Sequence, residues 1–595
     1  MSPNPHTPKL RAVLGALCVA SGLAGAALAA AASTPPPPSA AGLALTPCKL
    51  PGLEHEVRCG RFEVFEDRAA AKGRKIGLRV AVLPATGPDR APDPLFFFEG
   101  GPGGSAVADA ADLAHKWAAI NRKRDIVLID VRGTGDSNGL QCKALQGHAG
   151  VLGFLDSFLP VPGVRACRAE LEPRANLALY TTANAVDDVD DVRAALGYDR
   201  INISGASYGT FFALNYLRRH GQHVRTAMLD GVVPPNMRMP LYFAKDAQLA
   251  LDQVLDDCAK DAGCHAAFPE VRAELERVLD RLGKTPAQIE VKDPKTGQPL
   301  PVTLSRSAVA QSLRYMLYLP VTAAQIPLQI HLAAQGDLGP IAATAYLFGN
   351  MMTDMSDGFY LSVTCAEDLP YYTDAEGEQA ARGTYLGDFR SRTQKAACAE
   401  WPRGTVPADF AEPVRSDVPT LLLSGERDPV TPAYWADQAA RTLPHSIHLV
   451  AKGGGHDLGG LKGAECLDQV FTAFLDRGKV EGLDTSCVAK IEPVPFALKD
   501  DRVAAVKLAA DELDRFAGDY SGSAGMELTV RREGDVLQVL FGPDQARALT
   551  PVSPTRFKIE GAPPGFFIEF QVEAGKVTGM VIEQGPNERD VLKRK

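Results

Sequence analysis

The 595-residue sequence predicts an α/β protein with a doubly wound parallel sheet. Short, largely apolar runs recur along the chain, as in Leu95–Phe98 and Asp125–Asp130. Such runs suit strands that are buried on both faces of a parallel sheet. Helical stretches such as Thr182–Leu196 and Thr210–His220 lie between several of them. This alternation of strands and helices is typical of a doubly wound sheet.

The same pattern identifies the other strands and divides the sheet in two parts. The further predicted strands are Phe62–Phe65, Ile76–Leu83, Ile201–Ser204, Thr226–Asp230, Thr420–Ser424 and Ser446–Val450. Between residues 235 and 415 the pattern changes, and periodic apolar positions in Lys245–Ala259 and Glu270–Leu282 predict helices. We therefore predict a sheet core at 48–234 and 416–495, with a mainly helical cap inserted at 235–415.

The last part of the chain predicts a separate β-rich domain at 508–595. Leu508–Tyr520 is typical of a short helix and turn. Short strands follow at Met526–Arg531, Val536–Phe541, Arg556–Ile559, Phe566–Val572 and Lys576–Ile582. Their regular spacing and the turn residues between them favour a small antiparallel sheet or barrel.

The N-terminus predicts export. Lys9 and Arg11 precede an apolar run of mostly small residues at 12–32, the pattern of a cleaved secretory signal peptide at 1–32. A Pro-rich linker follows at 33–47. A membrane anchor is the alternative, but no basic stop-transfer cluster follows the run. We expect a periplasmic or secreted protein with no membrane span after cleavage.

Cysteine usage agrees with export. The chain has eleven Cys, and removal of Cys18 with the signal peptide leaves ten. An even number of Cys in neighbouring pairs favours disulfides in an oxidising compartment. The nearest-neighbour pairs are Cys48–Cys59, Cys142–Cys167, Cys258–Cys264, Cys365–Cys398 and Cys466–Cys487. Because no Cys-x-x-Cys pair occurs, we predict no metal site. A net charge of −9 and a pI near 5.8 give no support to nucleic-acid binding.

A nucleophile elbow is predicted at Ser207. The pattern Gly-x-Ser-x-Gly occurs around both Ser207 and Ser137. A nucleophile elbow needs a strand that ends at the motif and a helix that starts directly after it. Ile201–Ser204 and Thr210–His220 supply both for Ser207, whereas Ser137 lies in a polar, loop-like segment. We therefore predict Ser207 as the nucleophile and Ser137 as a turn residue.

Asp428 and His456 are the predicted partners of this serine. Serine needs a general base, which is usually a histidine oriented by a carboxylate. In the α/β-hydrolase fold the order along the chain is Ser, Asp, His, with each residue near a strand end. Asp428 and His456 follow the last two predicted strands in this order. Alternatively, Asp428 is a turn residue before Pro429 and His456 a surface histidine.

The glycine-rich segment after the third strand predicts an oxyanion hole. Gly100 or Gly101 would supply one backbone N–H, and Tyr208, the residue after the nucleophile, the other. A hairpin or a phosphate-binding loop is the alternative reading of the glycines. A nucleotide loop is disfavoured because no Lys-Ser/Thr follows.

In combination, these residues resemble the proline iminopeptidase and tripeptidyl aminopeptidase family of serine peptidases. The resemblance spans about Cys48 to Cys487. It rests on Gly100–Gly103, Asp130–Ser137, the elbow at Ser207, Gly425–Asp428 with Thr431-Pro432, and Gly455-His456. One departure is Glu99, which stands where many cytosolic relatives have His.

The resemblance implies an α/β-hydrolase fold with a cap, and cleavage from free N-termini without a cofactor. An aminopeptidase must hold an ammonium group, which carboxylates do through charge-assisted hydrogen bonds. Glu99, Glu367 and Asp368 are the candidates, and solvated surface charges are the alternative reading of each. The expected partners are peptides with free N-termini.

Two other functions remain open from the sequence. A carboxylesterase or lipase would use the same three residues on ester carbonyls. A catalytically inactive binding protein on this fold is a third reading, which the presence of all three residues disfavours. The sequence leaves the oligomeric state open.

Overall fold

The computed structural model describes residues 42–53, 56–146, 158–293, 296–351, 355–500, 505–522, 527–541, 546–560, 562, 565–584 and 589–595. The predicted signal peptide at 1–32, with Cys18, and residues 33–41 of the predicted linker lie outside the described residues. Within the described part, none of the helices combines the length and the apolar character that crossing a bilayer requires.

The central sheet contains nine strands in the described part of the chain. They are β1 (Thr46–Cys48), β2 (Val57–Phe65), β3 (Lys75–Leu83), β4 (Leu95–Phe98), β5 (Ile126–Ile129), β6 (Ile201–Ala206), β7 (Val224–Asp230), β10 (Thr420–Gly425) and β11 (Ser446–Ala451). Their spatial order is β1-β2-β3-β5-β4-β6-β7-β10-β11. β1, β2 and β3 are antiparallel to their neighbours, and the remaining six strands of this sheet, β5, β4, β6, β7, β10 and β11, run parallel. The predicted α/β fold is confirmed, with an antiparallel edge that the apolar pattern does not specify.

Helices cover the sheet and form the cap. They are α1 (Ala110–Lys116), α2 (Ala118–Asn121), α3 (Lys143–Gln146), α4 (Val161–Leu171), α5 (Thr182–Ala195), α6 (Tyr208–His220), α7 (Phe243–Lys260), α8 (Ala262–Ala267), α9 (Val271–Lys284), α10 (Arg306–Met316), α11 (Pro320–Ala323), α12 (Ile326–Ala334), α13 (Gly339–Met351), α14 (Asp357–Glu367), α15 (Asp374–Ala381), α16 (Phe389–Cys398), α17 (Ala433–Ala440), α18 (Cys466–Arg477) and α19 (Ala510–Asp514).

The inner strands are apolar along their whole length because both of their faces are covered. Every residue of β4, β5 and β10 is buried. Full burial of each large apolar side chain contributes about 1.5–3 kcal/mol. β4 has β5 on one side and β6 on the other, so the strand order reverses there. In such sheets the crevice at the carboxyl ends of the strands is the usual ligand site. The loops after β4 and β6, which carry Gly100 and Ser207, both start at this edge.

The segment between β7 and β10 is mainly helical, as the sequence predicts, and it has its own apolar core. Leu251 and Val254 of α7 share this core with Leu275 of α9 and Leu313 of α10. It also contains a hairpin, β8 (Ala287–Lys292) with β9 (Pro299–Leu304), that the sequence analysis does not predict. The limits 235–415 of the cap stay a prediction.

The C-terminal part is a closed barrel of antiparallel strands. They are β12 (Gly518–Ser521), β13 (Glu527–Glu533), β14 (Val536–Leu540), β15 (Ala546–Pro551), β16 (Arg556–Ile559), β17 (Phe566–Glu573), β18 (Lys576–Gln584) and β19 (Arg589–Arg594). Consecutive strands pair along the chain, and β12 closes the barrel by pairing with β19. The interior is filled by side chains that include Phe516, Phe557 and Phe570, so it is a packed core. Lys292 of the cap hairpin reaches the barrel, with its Nζ 3.4 Å from Oε1 of Glu560.

Five disulfides join the pairs that nearest-neighbour spacing predicts. They are Cys48–Cys59, Cys142–Cys167, Cys258–Cys264, Cys365–Cys398 and Cys466–Cys487. Each closes a loop of 6 to 33 residues, so each constrains a local segment. On the chain-entropy account, a loop of about 15 residues contributes about 3 kcal/mol.

Candidate active site

Ser207 lies at the tip of a sharp turn between β6 and α6. Its φ of 54° is in the left-handed region, a strain of about 1–3 kcal/mol for a residue other than glycine. Its N–H donates to the carbonyl oxygen of Asp230 at 2.9 Å. A Cβ at Gly205 would lie 2.2 Å from the carbonyl oxygen of Gly209, and one at Gly209 would lie 1.9 Å from that of Phe98. Both positions therefore require glycine, and the strand–turn–helix context predicted for Ser207 is present.

Asp428 and His456 meet in the loops that follow β10 and β11. The Nδ1 of His456 lies 2.8 Å from Oδ2 of Asp428. Oδ1 of Asp428 accepts the N–H groups of Val430 and Thr431 at 2.8 and 2.9 Å. The hydroxyl of Thr431 donates to Oδ2 at 2.6 Å. Asp428 is only 1% exposed, so this carboxylate is fixed by donors on both oxygens and faces the imidazole.

The two groups favour each other's charged form. Burial opposes the charge of Asp428, but His456 and the donors of Thr431 outweigh it and hold the pKa of Asp428 below its usual value. Burial also opposes a charged imidazole, yet the charge and hydrogen bond of Asp428 raise the pKa of His456 above its usual value. A buried carboxylate that stabilises imidazolium is what a histidine needs in order to take a proton from serine.

His456 is held between the sheet edge and the cap. A Cβ on Gly455 would lie 2.3 Å from the carbonyl oxygen of Tyr318, and one on Gly425 would lie 1.9 Å from that of Gly455. The ring of Tyr318 meets the imidazole edge to face, with centroids 5.1 Å apart. On the core side, a Cβ on Gly231 would lie 3.2 Å from the imidazole Cε1. Glycines therefore let the backbone bring His456 over the sheet edge, as the sequence predicts.

The glycine-rich loop after β4 passes over Ser207. A Cβ on Gly100 would lie 3.2 Å from the Cβ of Ser207. The N–H of Gly100 donates to Oε1 of Glu99 at 2.8 Å. Tyr208 begins α6, and the first N–H groups of a helix have no partner inside it. Gly100 is therefore engaged, which leaves Gly101 and Tyr208 as the better candidates among the three predicted oxyanion donors.

The second Gly-x-Ser-x-Gly segment has structural contacts. Ser137 is fully buried, and its hydroxyl oxygen accepts the backbone N–H of Arg79 at 2.7 Å. Arg132, five positions earlier, is also fully buried and donates to both oxygens of Asp188 at 2.6 and 2.9 Å. Removal of one partner of such a buried pair costs about 3–5 kcal/mol. This segment therefore stabilises the fold around the site.

Two of the predicted amine-binding acids are buried, and one of them is linked to the residue that follows the nucleophile. Glu367 accepts the backbone N–H and the hydroxyl of Thr182, both at 2.6 Å, and that hydroxyl lies 2.6 Å from the phenol oxygen of Tyr208. Asp368 accepts the backbone N–H of Met239 at 3.0 Å. Burial raises the pKa of Glu367 and that of Asp368 to about 8. The alternative reading of these two acids as solvated surface charges is wrong.

The third predicted acid, Glu99, is half-buried and has an acidic neighbour. Burial, together with the negative charge of Glu99 and a hydrogen bond between the two carboxyl groups, raises the pKa of Asp109 to about 8. The protonated form of Asp109 is therefore favoured, and in that form its carboxyl O–H donates to Glu99. Because the carboxyl group of Glu99 also accepts the N–H of Gly100, this acidic pair stands next to the oxyanion loop.

The sequence analysis does not predict three residues that contact the site, namely Thr431, Tyr318 and Asp109. Thr431 stands in the motif that carries the family resemblance, and that motif is the signal for it. Tyr318 and Asp109 come from segments far from the three central residues in sequence, and no local pattern marks them. Their places follow only from the packing of the cap and of the loop after β4.

A candidate metal-binding group lies at the other end of α6 from Ser207. In the described residues, one ligand atom each from Asp190, His220 and His223 lie within 4.8 Å of one another. However, Asp190 already accepts Nε of Arg193 at 2.7 Å and the phenol of Tyr216 at 2.8 Å. Because existing donors hold this carboxylate, we assign the group a structural role.

Comparisons with known proteins agree with this geometry. A family model described as "alpha/beta hydrolase fold" matches residues 93–310, which contain the glycine loop and Ser207. A second, described as "TAP-like protein", matches residues 384–487, which contain Asp428 and His456. The chain is a serine hydrolase of the α/β-hydrolase fold.

Relatives with similar sequences are named as peptidases and as a carboxylesterase. Serine protease Hip1 of Mycobacterium tuberculosis is 26% identical over 484 residues, 74% of this chain and 90% of that protein. Tripeptidyl aminopeptidase of Streptomyces lividans is 26% identical over 480 residues, 74% and 86% of the two chains. Carboxylesterase B of M. tuberculosis is 27% identical over 459 residues, 70% and 84% of the two chains. The resemblance to the tripeptidyl aminopeptidase family is confirmed.

Among solved structures, proline iminopeptidase of Mycobacterium smegmatis matches 70% of this chain and 98% of its own, with 16% identity and a TM-score of 0.33.

Proposed function

We propose that this protein is an exported serine exopeptidase that releases N-terminal residues or short peptides through an acyl-enzyme. The observation that carries the proposal is that the buried carboxyl group of Glu367 is joined through the hydroxyl of Thr182 to the phenol of Tyr208, the residue that follows the nucleophile. The buried carboxyl group of Asp368 is next to it in the chain. The tripeptidyl aminopeptidase of S. lividans has the activity that such a site would serve.

In the proposed reaction, Ser207 attacks the scissile carbonyl as His456 takes its proton. Asp428 holds the Nδ1–H of the imidazole and stabilises the imidazolium. The N–H groups of Gly101 and Tyr208 would donate to the oxyanion, each worth about 3 kcal/mol in the transition state. His456 then gives the proton to the leaving amine, and a water molecule hydrolyses the acyl-enzyme by the same path. These steps need no cofactor.

Recognition of the substrate amine is assigned to Glu367, Asp368 and Glu99. Burial raises the pKa values of Glu367 and Asp368 to about 8, because it disfavours their ionised forms. A substrate ammonium group nearby would stabilise the ionised forms. Because Glu367 is linked through Thr182 to Tyr208, an ammonium bound there lies near the acyl site. This arrangement favours cleavage close to a free N-terminus.

Export is supported by the disulfides and by the predicted signal peptide. Five disulfides are typical of proteins that fold in an oxidising compartment. We assign the mature protein to the periplasm or to the outside of the cell, where peptides with free N-termini would be its substrates.

A chromogenic panel tests the proposal. It contains proline, alanine, dipeptide and tripeptide anilides with free amines, their N-blocked versions, and short acyl esters, each assayed beside Ser207→Ala. We expect Ser207-dependent turnover of free-amine anilides, and the best chain length would separate iminopeptidase from tripeptidyl activity. Turnover of esters alone would favour a carboxylesterase, the function named for one relative. No Ser207-dependent turnover would favour an inactive binding protein.

We expect Glu367→Gln and Glu99→Gln to reduce the preference for free over blocked N-termini by about 10- to 100-fold, since a hydrogen bond to a charged group is worth about 1.5–3 kcal/mol. The amide introduced by Glu367→Gln keeps an acceptor for Thr182 but lacks the charge. The ratio of kcat/KM values for a free and an acetylated tripeptide anilide measures this. Glu378→Gln, at an exposed acid of α15, is the matched control. An unchanged ratio in both variants would remove the assignment.

The pH dependence of kcat/KM separates the two kinds of substrate. A neutral ester needs only unprotonated His456, so its rate rises through the raised pKa of that group and then levels off. A free-amine peptide also needs ionised Glu367 and Asp368, whose pKa values are about 8, and a protonated amine, whose pKa is about 7.7–8.0. We expect a narrow bell near pH 8 for the peptide alone. Superimposable profiles for peptide and ester would contradict this.

A further inference from the structure

Two arginines of the cap are buried, and within the described residues neither forms an ion pair with a carboxylate. Arg314 on α10 is 1% exposed, and Arg390 on α16 is 7% exposed. Among the described residues, Nε and Nη2 of Arg314 and Nε of Arg390 have no hydrogen-bond partner. A buried cation that lacks a counter-ion costs several kcal/mol in desolvation. Guanidinium groups keep their charge at all ordinary pH values, so they do not avoid this cost by losing a proton.

Aromatic rings surround both guanidiniums and join them into one group. The guanidinium carbon of Arg314 lies 4.5 Å from the ring centroid of Phe243, and that of Arg390 lies 5.8 Å from the same centroid. Arg390 also lies 3.5 Å from the ring centroid of Phe158. Cation–π contacts contribute about 2 kcal/mol when desolvated, but they supply no hydrogen-bond acceptor for Nε and Nη2 of Arg314 or for Nε of Arg390.

This arginine pair adjoins the proposed catalytic imidazole. The guanidinium carbon of Arg314 lies 5.4 Å from the ring centroid of Tyr318, the ring that packs edge to face on His456. Nη2 of Arg390 donates to the phenol oxygen of Tyr360 at 3.4 Å. The acidic groups Glu367 and Asp368 end the same helix that carries Tyr360. The cap therefore carries a buried acid, Glu367, that is linked through Thr182 to Tyr208, and a buried cation, Arg314, beside the ring that packs on His456.

We propose that Arg314 and Arg390 form a subsite for a carboxylate of the substrate. The carboxylate is either an acidic side chain or the C-terminus of a short peptide. The planar fork of guanidinium N–H groups matches a carboxylate in a bidentate manner, and a desolvated site strengthens this pairing. The inference deepens the proposed function and rests on it, because it takes this cap to be the substrate-binding side of the site.

Three matched substrate pairs test the subsite. The first is a free-amine tripeptide anilide with Glu or Gln at one position. The second is tetra-alanine with a free or an amidated C-terminus. The third is p-nitrophenyl hydrogen glutarate beside p-nitrophenyl butyrate, which has no amine and so does not depend on exopeptidase activity. In the third pair we expect kcat/KM to be at least about tenfold higher for the charged ester. We expect the same preference for the charged peptide in at least one of the first two pairs.

The variants are Arg314→Gln and Arg390→Gln, with Arg314→Lys and Arg390→Lys to retain the charge. Each Gln variant is expected to lower the charged-to-neutral ratio about tenfold, and each Lys variant to restore part of it. Arg382→Gln, at an exposed arginine of the cap, is the matched control and should leave the ratio unchanged. Circular dichroism checks the fold, and where a Gln variant does not fold, the Lys variant and the wild-type ratios decide.

The outcomes separate the two proposals. Equal rates within all three pairs, or a preference that survives both Gln variants, would overturn the subsite. Preference in the first pair but not in the second identifies an acidic side chain as the source, and preference in the second pair identifies a peptide C-terminus. Arginine-dependent preference for the glutarate ester without hydrolysis of any peptide would retain the subsite and reject the exopeptidase.

Discussion

Ser207→Ala is expected to lower kcat about a millionfold, because in a serine–histidine–aspartate site removal of the nucleophile costs about as much as removal of all three groups. Ser137→Ala should leave kcat within a few fold, although the same five-residue pattern surrounds it. Ser207 lies at the strained turn between β6 and α6, whereas Ser137 is buried in a loop. Chromogenic hydrolysis and labelling by a fluorophosphonate probe measure both variants.

The Ser137 variant should instead lose stability. Its hydroxyl oxygen accepts the backbone N–H of Arg79 at 2.7 Å, and alanine would leave that N–H without this acceptor. An unsatisfied buried donor costs about 1–3 kcal/mol, which a thermal or denaturant melt detects. If Ser207→Ala kept more than a small fraction of activity, or if a folded Ser137→Ala lost it, the assignment of the nucleophile would be wrong.

The elbow could be predicted because it depends on short-range sequence. Strands buried on both faces are rich in apolar residues, so β4 and β5 stand out as unbroken apolar runs and β6 is marked by Ile201 and Ile203 just before the motif. The crowding at Gly205 and Gly209 is local to one turn. Residue types and spacing therefore distinguish Ser207 from Ser137, and chain order leads from there to Asp428 and His456.

Strands with mixed exposure are harder to predict. β19 (Arg589–Arg594) contains four charged residues, and β15 (Ala546–Pro551) includes alanine and proline. In a barrel one face of each strand meets water, so such sequences resemble loops. The cap hairpin β8–β9 is exposed at every second residue of β8 for the same reason.

Charged groups inside the cap could not be placed from sequence. Glu367, Asp368, Arg314 and Arg390 lie on helices or at helix ends, where a charged residue normally faces solvent. Their burial results from contacts between segments that are distant along the chain, such as Glu367 with Thr182. The resemblance to a family indicated the acids, and nothing in the local pattern indicated the arginines.

Asp428→Asn is expected to lower kcat about ten-thousandfold with little change in the fold. Oδ1 of Asp428 accepts two backbone N–H groups, from Val430 and Thr431. In the variant, the amide oxygen must therefore occupy the Oδ1 position, and the NH₂ group must face His456. A donor at that place forces Nδ1 of the imidazole to accept, which moves the proton to Nε2.

An imidazole that carries its proton on Nε2 cannot take the proton of Ser207. The variant should therefore lose kcat rather than substrate affinity, and its His456 should titrate at a lower pH, because Asp428 raises the pKa of that imidazole in the native protein. Histidine NMR and pH–rate profiles measure the two effects separately. Thr431→Val is the control, since it removes a single hydroxyl donor from Oδ2 and should cost about tenfold or less. If Asp428→Asn behaved like Thr431→Val, Asp428 would serve to shape the loop, and another carboxylate would have to orient His456.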